Sequence, residues 1–306
     1  MVASCATGVA HVRFQVPDLG RMTIFLERFG FVTRTCGDIL AAAPDTASLP
    51  LHFTSKGEPA FLGFGFYVAD LLELRGLAER HNVAVEQLPS PGEGWLARLV
   101  DPDGMTVEVV VRTSGISSDR QSAQHVWNVA ARHSRIGSAS VERPRASRVV
   151  GLGHVVLNVS DLARSRDWYV ENFGLLVSDV IEPAPGMAIG AFMRCNLGEQ
   201  PADHHSLFLL QHPGGPGFNH AAFEVEDFDD LMRGHDHLKA TGESPHWGIG
   251  RHILGNQVFD YWTDPWGHVL EHWTDGDRLT ANAPMGRASL EDLIGVQWGP
   301  AMPAPR

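Results

Sequence analysis

The chain has 306 residues, 43% of them hydrophobic and 20% charged, with a net charge of −12. That length suits two domains better than one, and the acidic balance argues against a nucleic-acid surface, which needs basic patches. No apolar run reaches the roughly 18 residues a membrane span needs, and the N-terminus lacks a charged stretch followed by an apolar one, so neither a membrane nor a secretory signal is expected. Cys5, Cys36 and Cys195 share no metal or disulfide spacing and suit a reducing cytoplasm. Sixteen histidines are the compositional excess, and they are unevenly spread.

In chain order, GVAHVRFQVPDLGRMTIFLERFGF predicts a strand, an aspartate-led helix start and a helix ending near Gly30. FLGFGFYVADLLELRGLAER and DPDGMTVEVV follow, the last a strand carrying Glu108. A Ser- and Arg-rich stretch comes next and reads as a linker with one helix around Ala123 to Ala131. The pattern then returns. GLGHVVLNVSDLARSRDWYVENFGL repeats the opening, with Asp161 as N-cap and Gly174 just past the helix end. FNHAAFEVEDFDDLMRGHDHL and DPWGHVLEHW repeat the later segments and place Glu271 where the first copy has Glu108.

This duplication predicts an α+β fold of tandem repeated βαβββ modules forming two domains, each a curved, partly open barrel-like sheet. The expected divisions are an N-terminal domain at 1–111, a linker at 112–149, a C-terminal metal-binding domain at 150–277 and a tail at 278–306 with a short helix at Ser289 to Ile294.

Chemistry concentrates in the second copy. Arg251 to Asp277 reads as an aromatic strand, a tight turn at Asp264-Pro265-Trp266-Gly267 and a returning strand through Glu271. A carboxylate in an apolar strand costs free energy unless it is paired or bound to a metal. His154 in GHVVLNV and His220 in NHAAFEV lie on two other strands, which a curved sheet can bring to one concave face with Glu271. Two neutral imidazoles and a carboxylate with open coordination positions are the donor set of non-haem Fe(II). Each taken alone reads better as a hydrogen-bonded core histidine or a surface strand glutamate; it is the three together, at matching places of a repeated module, that point to a metal. Aligning Asp70 with Asp227 sets Gly63 opposite His220, so the first copy keeps His11 and Glu108 but lacks the middle ligand and is expected to hold no catalytic metal.

The repeat, and above all GRHILGNQVFDYWTDPWGHVLEHW, resembles the vicinal oxygen chelate superfamily and, within it, the two-domain type I extradiol catechol dioxygenases. The resemblance covers about Gly8 to Asp277. It implies His154, His220 and Glu271 as ligands of Fe(II), with Mn(II) the alternative metal. It also implies an acid–base histidine at the pair His204-His205, of which His205 is favoured because it lies 15 residues before His220, with His252 and Tyr261 beside the substrate. Val156, Phe192, His246 and Trp247 are the expected pocket lining. The implied reaction inserts dioxygen into a small aromatic diol next to its hydroxyls, and the implied assembly is a homo-oligomer. Trp247 and Phe192 favour a substituted monocyclic catechol or trihydroxybenzene. Two other classes compete. A glyoxalase-like isomerase or thiol transferase would use the metal positions without His205, His252 and Tyr261, and a metal-free binding protein would lack the ligands.

Overall fold

The structure is a computed structural model that describes residues 5–45, 49–88, 93–112, 128–133, 136–137 and 143–303. The first copy runs β1 (Ala6–Val16), α1 (Leu19–Phe29), β2 (Val32–Cys36), β3 (Ile39–Ala43) and β4 (His52–Lys56). It continues with β5 (Ala60–Val68), α2 (Leu71–Arg80), β6 (Val85–Gln87), β7 (Gly94–Val100) and β8 (Thr106–Arg112). The second copy repeats this as β9 (Val149–Val159), α3 (Leu162–Phe173), β10 (Leu176–Ile181), β11 (Gly190–Arg194), a two-residue β12 (Ala202–Asp203) and β13 (Leu207–Gln211). Its later half is β14 (Gly217–Val225), α4 (Phe228–Ala240), β15 (Ser244–His252), β16 (Val258–Thr263) and β17 (Val269–Thr274). The βαβββ pattern therefore occurs twice within each copy.

Helix ends follow local chemistry. Asp18 and Asp161 each cap a helix by accepting from the backbone N–H three residues on, which satisfies a donor the helix leaves unpaired. Gly174 closes α3 at φ 62°, a left-handed conformation that costs glycine nothing. The hairpin at Asp264 forms as the sequence predicts: Gly267 N–H donates to Asp264 O at 3.1 Å, and the Asp264 carboxylate accepts from Trp266 N–H at 2.8 Å.

The first sheet has the order β2-β3-β4-β1-β5-β8-β7-β6. The second reads β10-β11-β13-β9-β14-β17-β16-β15, the same order strand for strand. The tail extends it, since β19 (Gly286–Ala288) joins β10 and β20 (Val296–Trp298) joins β15, while β18 (Arg278–Leu279) pairs with β12. The helix expected in the tail is α5 (Leu290–Ile294), closed by a Ser289–Asp292 capping box. The expected linker helix is corrected where it can be seen. Val129 and Arg132 pair across a tight turn, and residues 123–127 lie outside those described. Among the described residues no helix is long and apolar enough to cross a membrane.

The copies pack through one shared core containing Phe14, Phe29, Phe66, Tyr169, Phe173 and Phe223. His272 donates from Nε2 to Phe29 O at 2.8 Å, and its ring stacks on that phenylalanine at 3.7 Å. The alternation of a strand explains this: Glu271 faces one side of the sheet and His272 the other, so His272 belongs to the interface between copies. Trp266 also lies at this interface, under the Arg21 guanidinium of α1.

Candidate metal centre

Strands β9, β14 and β17 are neighbours, and their register builds the site. Ala222 stands directly opposite both His154 and Glu271, so these three share one row and one face. His220 lies two residues earlier on β14, on the same face, opposite Val156 and Val269. The small Ala222 side chain leaves the space between His154 and Glu271 free for a third participant.

The donor atoms of His154, His220 and Glu271 all lie within 4.8 Å of one another. Each Nε2 comes within 3.3 Å of Glu271 Oε2, yet neither carboxylate oxygen has a hydrogen-bond partner. A buried carboxylate with both oxygens unsatisfied is costly unless a cation completes it. Burial pushes the Glu271 carboxyl up, but the two adjacent imidazoles more than offset that and hold it ionised. The donor set, burial and orphaned oxygens fit a divalent metal. Only His220 of the three retains appreciable access, with 14% of its side chain exposed, and its Nδ1 is steered by Asn219 Oδ1 at 2.8 Å.

Two aromatic flanks border the cluster. On one, the His205 ring lies 4.0 Å from that of His154, with Phe192 edge-on to His205 at 4.8 Å. Val156 is buried in the same apolar group as Phe192 and Phe208. Burial and the neighbouring imidazoles hold the His205 pKa well below the ordinary histidine value. On the other flank, Tyr261 stands opposite Glu271 in register and lies 5.1 Å from His220. His252 Nε2 is 3.0 Å from the Tyr261 hydroxyl, and Trp247 stacks on Tyr261 at 5.5 Å. Burial lowers the His252 pKa to about 4, and burial with the Glu271 charge raises that of Tyr261 well above 10.

One expected lining residue stands apart. His246 is exposed beside a bulge in β15, whereas its neighbour Trp247 is buried against the flank. Sequence reasoning also passed over Gly153, where a Cβ would meet the Trp273 indole at 2.4 Å. Glycine there lets Trp273 lie against β9 next to His154.

The first copy shows what the same row becomes without its middle ligand. Gly65 stands opposite His11 and Glu108, as Ala222 does to His154 and Glu271, and Gly63 stands opposite Arg13. Gly63 has φ 140°, and a Cβ there would meet Thr106 O at 2.3 Å, so this backbone has no room for a histidine. The Glu108 oxygens are already engaged by His11 Nε2 at 2.6 Å, Arg13 at 2.9 Å and Arg98 at 3.0 Å. Guanidinium groups supply the positive charge that a metal would supply in the second copy.

A stability prediction follows. Burial raises the Glu108 carboxyl, but the hydrogen bond from His11 and the charges of His11, Arg13 and Arg98 outweigh it, bringing the pKa from 4.5 to about 2. A depressed carboxyl stabilises the fold above its unfolded value and loses that contribution as pH falls through the folded one. Glu108→Ala is expected to cost on the order of 3 kcal/mol at neutral pH, with the difference from wild type shrinking between roughly pH 4.5 and 2. Metal content per chain should be unchanged. Denaturant unfolding at several pH values with metal analysis checks both, and loss of metal would put ligands in the first copy.

With this geometry established, the likeness to known proteins can be read. Residues 151–272 match the model of the Glyoxalase/Bleomycin resistance protein/Dioxygenase superfamily. The matched stretch lies within the second copy and runs from β9 to His272 of β17. All three residues of the His154–His220–Glu271 cluster lie inside the matched stretch. Over 300 residues the chain is 29% identical to metapyrocatechase 2 of Cupriavidus necator, covering 96% of this chain and 89% of the relative. Among solved structures, the Mn(II)-bound glyoxalase from Novosphingobium aromaticivorans superposes with a TM-score of 0.77 at 22% identity, covering 99% of this chain and 96% of that one. A 2,3-dioxygenase from Pseudomonas sp. KL28 gives 0.76 at 17% identity, covering 95% and 100%. At those identities the structural likenesses speak to the fold alone.

Proposed function

We propose that this protein is an extradiol dioxygenase that cleaves a catechol-type ring next to its vicinal hydroxyls, using Fe(II) held by His154, His220 and Glu271. The observation that carries the reading is the buried Glu271 carboxylate. Neither oxygen is hydrogen-bonded, two imidazole nitrogens lie 3.3 Å away, and a neutral His205 packs against the cluster. The near full-length similarity to a metapyrocatechase supports it. Bound there, the metal would bring diol and dioxygen together, lower the diol pKa and allow a spin-restricted reaction to proceed.

The chain's own residues then have distinct tasks. Tyr261 keeps its proton, because burial and the Glu271 charge disfavour the phenolate, and it can donate a hydrogen bond to a diol oxygen. His252 stays neutral and holds the Tyr261 hydroxyl in place. His205, also neutral, can accept a proton from the diol and return it as the ring opens. Val156 and Phe192 on one flank and Trp247 on the other exclude water and suit a flat ring. Their bulk favours a substituted monocyclic catechol or a trihydroxybenzene.

The test is anaerobic reconstitution with iron, then addition of a catechol panel and dioxygen. Catechol-dependent oxygen uptake with a yellow ring-fission product is the expected result. A non-redox activity would show metal dependence without oxygen uptake. A homo-oligomer is the assembly we propose with this activity, and one monomer mass across a wide concentration range in sedimentation would remove it.

A further inference from the structure

His205 is not isolated on its side of the cluster. Its Nδ1 lies 3.1 Å from His204 Nδ1, and His204 Nε2 lies 2.6 Å from Asp179 Oδ2. The three groups form a line running from a partly exposed carboxylate into the metal centre, since 18% of the Asp179 side chain is accessible and both histidines are buried.

The line is built into the fold. His204 N–H donates to Asp277 O at 2.9 Å, and the Ser178 hydroxyl donates to His204 O at 2.6 Å. Two glycines make room for it. A Cβ on Gly286 would meet Asp179 Oδ1 at 1.9 Å, and one on Gly255, at φ 72°, would meet His204 Nδ1 at 2.9 Å. The tail strand β19, which carries Gly286, pairs with β10 at Asp179 itself.

With one proton on each imidazole, a single arrangement satisfies both contacts. An ionised carboxylate only accepts, so His204 must carry its proton on Nε2. The His204 Nδ1 is then bare and accepts from His205 Nδ1–H. A neutral His205 is left with a bare Nε2. We propose that Asp179 and His204 are positioning residues that set the tautomer of His205, so that its Nε2 meets the substrate as a base. This rests on the dioxygenase reading and deepens it.

The test begins with the full chain loaded with Zn(II), a diamagnetic stand-in, and labelled with ¹⁵N-histidine. The His205 signals are assigned by their loss in His205→Phe. In the wild type, His205 should show a protonated Nδ1 and an unprotonated Nε2. In Asp179→Ala the two tautomers should mix, and Asp179→Asn, whose carbonyl can still accept from His204, should restore the wild-type pattern. A protonated Nε2 in the wild type, or no change in Asp179→Ala, overturns the proposal. In the iron-loaded protein, Asp179→Ala should lower kcat by about 10–100-fold, the usual effect of removing such a supporting partner, with iron content and KM near wild type. Loss of iron together with kcat in Asp179→Ala would mean a structural prop and would also overturn it. Absence of turnover in the wild type would count against the dioxygenase reading alone, while the tautomer measurement still decides the proposal.

Discussion

His220→Ala is expected to lose its metal. The substitution removes one of three protein donors and leaves two on a site whose remaining carboxylate is fully buried. Changing a group that merely supports a ligand already costs about 10–100-fold in affinity, so removing a ligand should cost at least ~100-fold. His220 is the right member of the cluster to change. Its side chain is the most accessible of the three, and it contacts the neighbouring Asn219 and Glu271 side chains without taking part in the backbone pairing, so truncation leaves the β9–β14–β17 ladder intact. Iron content and dissociation rate, measured beside a circular dichroism spectrum that reports the fold, make the check. A variant that keeps the spectrum and binds iron as tightly as wild type would show that the cluster is not the metal site.

How far the sequence could reach depended on whether the deciding interactions were local. Helix ends were legible because Asp18, Asp161, Gly30 and Gly174 act on backbone groups within a few residues. The hairpin at Asp264 was legible for the same reason. The grouping of His154, His220 and Glu271 was legible through duplication: aligning the copies set Gly63 opposite His220 and Glu108 opposite Glu271, and the strand registers of the two copies agree with it.

What stayed hidden involves partners far apart in the chain, with no motif to join them. Arg13 and Arg98 reach Glu108 from 95 and 10 residues away, and nothing in DPDGMTVEVV announces that its carboxylate is already neutralised. Asp179 lies 25 residues from His204, and no motif links the two. His246 was drawn towards the site by its neighbour Trp247, whereas the bulge beside it leaves it exposed. The second βαβββ unit in each copy was read only as matching later segments, because a short strand such as β6 carries too few residues to show alternation.

His205→Phe separates binding from chemistry. The His205 ring packs on His154, yet it is not among the three donors, so the variant should hold iron normally. Phenylalanine fits the flank, which already stacks Phe192 on Phe208 at 4.0 Å, and catechol affinity measured without oxygen should stay near wild type. Turnover is another matter. A phenyl ring can neither take the diol proton nor return it, and the loss of a positioned acid–base group typically costs about 10²–10⁴-fold. The choice within the histidine pair is also geometric. His205 meets the cluster directly, whereas His204 meets it only through His205 and turns its other nitrogen to Asp179. His204 is therefore no neutral control, because changing it frees the His205 tautomer. His212→Phe, at an exposed position, is the better one and should leave turnover unchanged. Iron content, anaerobic catechol binding and oxygen-dependent turnover in the two variants make the comparison. If His205→Phe released its iron, the residue would be a ligand or a prop; if it turned over at the wild-type rate, the proton would have to travel by another group.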